Sequence, residues 1–309
     1  MMRSVIRKTQ RGVAVVLAMG VVALAAIAAA AMLASQSTWS RQAELAAEHA
    51  QAQALVRAGV DWARALLSDD RRLSAVDHLG EPWALRLPPV PVDNGELAGR
   101  IDDQQGAFNL NNLVRNGAAS PAHLIQFRRL LEILDLPDTL ADALLDWLDA
   151  DSEPQPQGGA EDAFYQGLQP PYLAANRALT DVAELAQVRG FDGGVRARLR
   201  PFITALPRAT ALNVNTASPE VLAAVVSGLD LDDARALIAR RDQAYFRNLT
   251  EFLAQLPPGA VAQGNDVTTA SQHFLASVRV TIGEAQARGA ALLVRNSAGW
   301  PAVAWRKYP

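Results

Sequence analysis

The first 35 residues constrain this chain more than any others: a basic head of Arg3, Arg7, Lys8 and Arg11, then Gly12, then Val13 to Ser35 without one charge. An uncharged run of roughly 20 residues or slightly more crosses a bilayer's hydrocarbon core at about 1.5 Å per residue. Basic residues stay on the cytoplasmic side, so the rest of the chain is expected outside the cytoplasm. A secretory signal peptide has the same basic and apolar regions and is then removed. Small-x-small cleavage positions can be placed almost anywhere in Ala28 to Ser35 and decide nothing. Two features favour retention: the apolar run is longer than a usual signal core, and Gln36 to Leu67 continues it as helix. Between Val13 and Leu67 the only Gly or Pro residues are Gly20 and Gly59, and Ala, Leu, Gln, Glu and Arg dominate. Helix propensity then predicts one rod of roughly 80 Å.

The chain has 309 residues, half of them hydrophobic, which suffices for a buried core and suggests two domains after the anchor. There is no cysteine, which excludes a disulfide framework, a thiol nucleophile and a thiolate metal site. Lysine occurs only at Lys8 and Lys307. Net charge is −3, but four of the 29 basic residues lie in the head, so a chain starting at Val13 sets 25 against 32 acids and carries −7. Such a surface repels nucleic acid and favours cations.

Beyond the rod, Ser68 to Asp77 reads as a charged linker. The prolines at Pro82, Pro88, Pro89 and Pro91 make the next stretch irregular or an edge strand, because proline cannot donate to a ladder. Glu96 to Asp103 alternates as a strand does. The period is helical from Pro121 to about Gln263, with helices expected at 122–134, 140–149, 179–187, 194–202, 219–227, 232–241 and 248–255. Pro121 after Ser120, Pro219 after Ser218, and Thr180 ahead of Glu184 are the start signals. The tail returns to period two at 274–282, 290–295 and 301–306, a three-stranded meander broken at Gly283 and at 296–299. A helical insertion within a sheet domain follows. Within it runs a worn repeat: Phe108-Asn109-Leu110-Asn111 echoes Leu212-Asn213-Val214-Asn215, Leu134-Asp135-Leu136 echoes Leu229-Asp230-Leu231, and Leu179-Thr180-Asp181 echoes Leu249-Thr250-Glu251. Two short units would have to share a core.

The candidate chemistry lies where Asp146, Asp149, Asp151 and Glu153 crowd the C-terminal end of a helix. That end is the negative pole, and each uncompensated anion there costs ~0.3 kcal/mol or more beyond mutual repulsion. Pro154, Pro156 and Gly158-Gly159 turn the chain, and Glu161 and Asp162 bring two more acids back. A hard, oxygen-seeking cation such as calcium would remove the conflict; a solvated acidic loop is the alternative. An EF-hand is excluded, since Pro154 stands where its sharp turn needs Gly and Ala160 where its bidentate Glu belongs. The helices around Gly228-Leu229-Asp230 resemble a helix-hairpin-helix module, but Leu229 and Asp230 would meet phosphate with bulk and negative charge. The four histidines, His49, His78, His123 and His273, lie in unrelated contexts, and no H-E-x-x-H, G-x-S-x-G, S-x-x-K or phosphate-binding glycine loop occurs. A hydrolase would need a His-acid-Ser cluster assembled in space. Small residues such as Ala18, Gly20, Ala25 and Ala29 permit close helix approach in lipid, and an Ala-rich proteome gives the same appearance.

Gln10-Arg11-Gly12 followed by Val13 to Met19 resembles the leader of type IV pilin-like proteins, in which a prepilin peptidase cuts after the glycine. The ordered series Phe108 to Asn111, Asp146 to Asp151, Gly159 to Asp162 with Tyr165, Leu179 to Leu185 and Asn213 to Ala217 resembles the minor pseudopilin K (GspK) family of type II secretion systems, across nearly the whole chain. The resemblance implies an α+β pseudopilin fold with a large α-helical insertion of two SAM-like or helix-hairpin-helix-like bundles. It implies cleavage between Gly12 and Val13, and calcium held in the insertion by Asp146, Asp149, Asp151, Glu161 and Asp162. The fifth residue after the cut, usually Glu in pilins, is Leu17 here; an intramembrane acid needs a partner, so its absence suits a subunit that nothing sits above.

The domains expected are a leader at 1–12, a rod at 13–67 whose 13–35 half spans the membrane, a pseudopilin body at 68–111 and 272–309, and an insertion at 112–271. The implied role is non-enzymatic: a cap on the periplasmic pseudopilus, anchored in the inner membrane with a cytoplasmic N-terminus and a periplasmic head. It would assemble with the I and J minor pseudopilins on the major pseudopilin filament, without nucleic acid. A membrane-anchored helix-hairpin-helix DNA-binding protein of a competence-like system is the alternative.

Overall fold

The computed structural model describes residues 6–86, 88–296 and 299–308. The first five leader residues, Arg3 among them, and Pro309 lie outside that range. Helix α1 (Ile6–Leu73) is unbroken. Every side chain from Gly12 to Glu44 is exposed, whereas Ala52, Val56, Val60, Ala63 and Leu67, spaced by three or four, form a buried seam. That spacing puts them on one stripe of the helix. The rod runs past Leu67 to Leu73 because Ser68 and Asp70 are buried and Arg295 holds Asp70, so residues 68–73 of the expected linker 68–77 are a helix end.

The seam lies on a five-stranded sheet of β1 (Val90–Val92), β2 (Gly95–Asp103), β3 (His273–Ile282), β4 (Ala285–Val294) and β5 (Ala302–Lys307), in that spatial order and antiparallel throughout. Proline-bearing β1 is an edge strand, as its sequence requires. In β3 the residues Phe274, Ala276, Val278, Val280 and Ile282 alternate inward and meet the α1 seam. Gly289 sits where β4 passes under the helix: a Cβ there would stand 2.4 Å from Val56, so only glycine permits the approach. β4 therefore starts at Ala285, five residues ahead of the expected start, with Arg288-Gly289 inside the strand.

β2 and β3 are paired in register from Gly95↔Ile282 to Asp103↔Phe274, so all of 104–272 enters and leaves through the end of one ladder. It forms two units. In the first, Phe108–Asn109 pairs in parallel with Ile203–Thr204 around α2 (Pro121–Ile133), α3 (Thr139–Leu148), α4 (Asp162–Gln166), a 3-10 turn (Val182–Gln187) and α5 (Gly193–Leu199). In the second, Leu212–Asn213 pairs in parallel with Val267–Thr268 around α6 (Pro219–Val225), α7 (Leu231–Gln243) and α8 (Leu249–Ala254). One hydrophobic cluster joins them, from Phe108, Phe127 and Leu144 to Val221, Leu237 and Phe252. Phe108 and Leu110, grouped with the body on sequence, pack in this helical core.

The repeated x-Asn-x-Asn motif has a physical basis. Asn111 accepts from the Leu179 N–H (2.8 Å) and donates to the Leu179 carbonyl (2.9 Å); Asn215 does the same with Phe246 (2.9 and 2.9 Å). Each buried amide thus satisfies both backbone groups of one distant residue. The first asparagine of each pair, Asn109 or Asn213, turns its own chain by accepting from the N–H two residues on. Two residues beyond Leu179, Asp181 caps the 3-10 turn and Glu184 accepts from Thr180 N–H; two beyond Phe246, Asn248 caps α8 and Glu251 accepts from Arg247 N–H. So Leu179 is equivalent to Phe246, not to Leu249, and the third sequence echo is three residues out of register. Asp181, rather than Thr180, is the cap.

Replacing Asn215 with Ala strands the buried N–H and C=O of Phe246, and should lower the head's stability by about 2 to 4 kcal/mol in denaturant unfolding. An unchanged midpoint would contradict this role for the repeat.

Candidate metal centre

Besides α5, which has no counterpart in the second unit, the two units differ in one connection. In the second, Phe246 follows three residues after α7 ends at Gln243; in the first, α3 ends at Leu148 and the chain makes an excursion over 149–178 before Leu179. The acidic residues lie on that excursion.

Asp149 is the residue after α3, with its N–H on Leu145 O, at the helix's negative pole. Glu161 precedes α4 but its carboxylate caps nothing. With Asp151 these residues offer carboxylate oxygens all within 4.8 Å of one another. Asp149 and Glu161 are buried, Asp151 is exposed. Among the described residues, Asp149 Oδ1, both Glu161 oxygens and Asn176 Oδ1 are buried without any hydrogen-bond partner. Burial, aggravated by Asp151 and Asp146, pushes Asp149 up to about 6. Burial again, aggravated by Asp146, Asp149, Asp151 and Asp162, pushes Glu161 up to about 7. Native structures rarely strand buried acceptors. Four stranded oxygens facing no donor have the chemistry of a hard-cation site.

The other two acids of the expected set build the loop. Asp146 accepts from Gln155 N–H through both oxygens (3.2 and 3.1 Å), and Asp162 accepts from Ala174 N–H (2.9 Å). Gly159 closes the turn, since a Cβ there would lie 2.2 Å from Asp146 Oδ2. Tyr165, fully buried, packs edge-on to Trp147 at 5.1 Å and stacks on Tyr172 at 5.3 Å, holding the excursion to the core. Asn176 carries no sequence signal; its amide nitrogen meets the Asp151 carbonyl at 3.4 Å only because the chain returns past the acidic turn.

A second trio, Asp70, Asp77 and Glu81, is equally close and fully buried, but it holds a resident cation. The Arg295 guanidinium pairs with Asp77 and, at 2.7 Å, with Asp70, and lies over the Phe274 ring. Asp77 also accepts from Ser271 N–H, and Glu81 from Trp83 Nε1 and His78 N–H. This trio joins rod, sheet and insertion; Arg295 supplies one positive charge to two of its three acids, and the third, Glu81, has hydrogen-bond donors of its own.

Two other chemistries can be weighed on geometry. Ser120, His123 and Asp266 do come together, with Ser120 Oγ 2.7 Å from His123 Nδ1 and Asp266 3.8 Å from Nε2. Arg115, which can only donate, lies 3.2 Å from Nε2. That places the imidazole proton on Nδ1, facing the serine, the reverse of what a Ser-His-Asp triad needs. Burial and Arg115 also hold His123 below its ordinary value. At the hairpin of the second unit Leu229 is buried, the Asp230 carboxylate caps Asp233 N–H, and Arg241 is buried on the carbonyls of Val214 and Ala217. None of these groups is presented to a phosphate.

A long N-terminal helix laid on one antiparallel sheet, with a helical insertion between adjacent strands, defines a pseudopilin enlarged at one end. Two family models described as type II secretion system (T2SS), protein K match residues 106–208 and 212–273, the two units in turn. Type II secretion system protein K of Pseudomonas aeruginosa is 37% identical over 290 residues, covering 90% of this chain and 86% of that protein; that of Aeromonas hydrophila is 35% identical, covering 75% and 77%. A solved chain of the GspK-GspI-GspJ complex from enterotoxigenic Escherichia coli is 28% identical with a TM-score of 0.76, over 88% of this chain and 99% of that one. The chain belongs to the type II secretion system protein K family, and it is a minor pseudopilin.

Because Asp149 and Glu161 have folded values above their unfolded ones, the metal-free protein binds protons more readily folded than unfolded. With chelator, their contribution should raise stability as pH falls from about 7 toward 4. Glu161→Gln should flatten that slope, measured by melting temperature against pH. An equal slope in the variant would contradict the assignment.

Proposed function

We propose that this protein is a tip subunit of a periplasmic pseudopilus, made by removal of residues 1–12 and held in the inner membrane by 13–35, with a cytoplasmic N-terminus and the head in the periplasm. The observation that carries the reading is the rod itself: its first half is apolar and bare, and its second half is the spine of the head. A bare apolar half-helix of that length is stable in lipid or against other helices, not in water. The K-type relative was solved with I- and J-type subunits, and the same kind of partners are assigned here, on a filament of major pseudopilin. The role is structural rather than enzymatic and uses no nucleic acid, in keeping with the His123 tautomer and the blocked hairpin described above.

Calcium is assigned to Asp149, Asp151 and Glu161, with Asp146 and Asp162 shaping the loop around it. When bound, the ion supplies the positive charge that the excursion lacks. The residues supply oxygen donors, a buried floor and a fixed turn.

N-terminal sequencing of membrane-extracted protein should begin at Val13; a start within Ala30 to Gln36 would mean an ordinary signal peptide. Pull-down of the chain should bring I- and J-type minor pseudopilins, and its failure with all three co-expressed would contradict the tip assignment. Calcium at 100 times its Kd should stabilise the head by about 2.7 kcal/mol in melts against chelator. Coincident melts would remove calcium from the account.

A further inference from the structure

The stranded oxygens come from three separate stretches of chain: the end of α3 (Asp149, with Asp151), the outward start of the excursion (Glu161) and its returning end (Asn176). Between Glu161 and Asn176 the chain carries exposed Phe164, Leu168 and Leu173. Its internal ties are the Asp162 bond to Ala174 N–H and the Tyr165–Tyr172 stack. Trp147 of α3 packs on Tyr165 and Tyr172 and anchors the middle of the arm, whereas its two ends are held to α3 thinly: Asn176 Nδ2 touches the Asp151 carbonyl at 3.4 Å, and Glu161 meets Asp149 and Asp151 with like charge. Asn176 has a φ of 45°, a left-handed conformation that asparagine tolerates and most residues resist, and this conformation sets its amide against the acidic turn.

We propose that Asn176 Oδ1 is a further ligand of the cation site, so that the ion is the clasp closing the arm 161–176 onto the end of α3. The inference rests on the calcium reading above and adds to it a residue and a consequence. Each stretch brings an unpartnered acceptor, and Asn176 Nδ2 is turned to the Asp151 carbonyl rather than to a carboxylate; the second unit, which has no excursion, needs no clasp. Without the ion the repulsion among Asp149, Asp151 and Glu161 acts where the arm leaves α3, and the ends of the arm loosen from α3 while Tyr165 stays in the core. With it, the three stretches become one rigid end of the head.

The test uses the full-length chain in detergent, with calorimetric calcium titration and hydrogen–deuterium exchange of peptides from the arm, each with calcium and with chelator. Asn176→Gly removes the oxygen while easing the left-handed backbone; Asn176→Asp keeps an oxygen and a residue tolerant of that conformation. In the parent chain calcium should slow exchange across 161–176 by roughly tenfold or more and leave 212–268 unchanged. Asn176→Gly should bind calcium roughly tenfold more weakly and lose the protection, and Asn176→Asp should keep both. Equal calcium affinity in the parent and Asn176→Gly, or calcium binding with no protection of the arm, overturns the clasp and leaves the calcium site standing. No calcium heat in the parent chain overturns the site, and the clasp with it.

Discussion

The seam Ala52, Val56, Val60, Ala63 and Leu67 against the inward faces of β3 and β4 is the contact on which the rest of the molecule depends. It fixes the long helix to the sheet with glycine-close packing, so the bare half of α1 projects as a stiff continuation of the core rather than as a tail. Helix formation is cooperative, and a half-buried helix extends more easily than a free one nucleates. The sheet in turn leaves one ladder end, at Asp103 and His273, as the gate through which the helical units are inserted.

That gate is tightly held. Asp103 accepts from Ser271, Thr216 and Asn213, and Asp77 from Ser271 N–H, while Arg295 ties Asp77 to Asp70 at the end of α1. Rod, sheet and insertion therefore meet in one buried polar knot, whose members are mostly satisfied. Above it the two units repeat one device, an asparagine amide pinning a distant residue's backbone. The first unit departs from the pattern in its acidic excursion and in α5, and among the described residues the buried side-chain oxygens left without partners all lie on that excursion.

Much of this architecture was legible in the sequence. The rod, the proline-marked edge, β2 and the tail strands follow from periodicity and composition, and the helix starts at Pro121 and Pro219 from proline at the first helical position, with a Ser218 cap at the second only. What failed to show was set by tertiary contact. Ser68 to Leu73 has the composition of a linker, yet Arg295, more than 200 positions away, keeps Asp70 in the helix. Gly289 breaks a strand pattern because a helix lies over it. The five-residue α4 is too short to have a period. The repeat was visible by its asparagines but misaligned at Leu249, since similar letters lay three residues from the residue that Asn215 grips. At the candidate site the acidic composition pointed to the right loop; which carboxylates converge, and that Asn176 joins them, depends on where the excursion returns.

The central claim is that one uninterrupted helix links the bilayer to the core of the head. The chain has no cysteine, so paired spin labels can be placed at Ala26 and Ala54 alone, in the membrane-inserted protein. A continuous α-helix puts those positions about 42 Å apart, and a single narrow distance distribution there is the predicted result. A broad or shorter distribution, or a mature chain from which the first label is missing, would contradict it.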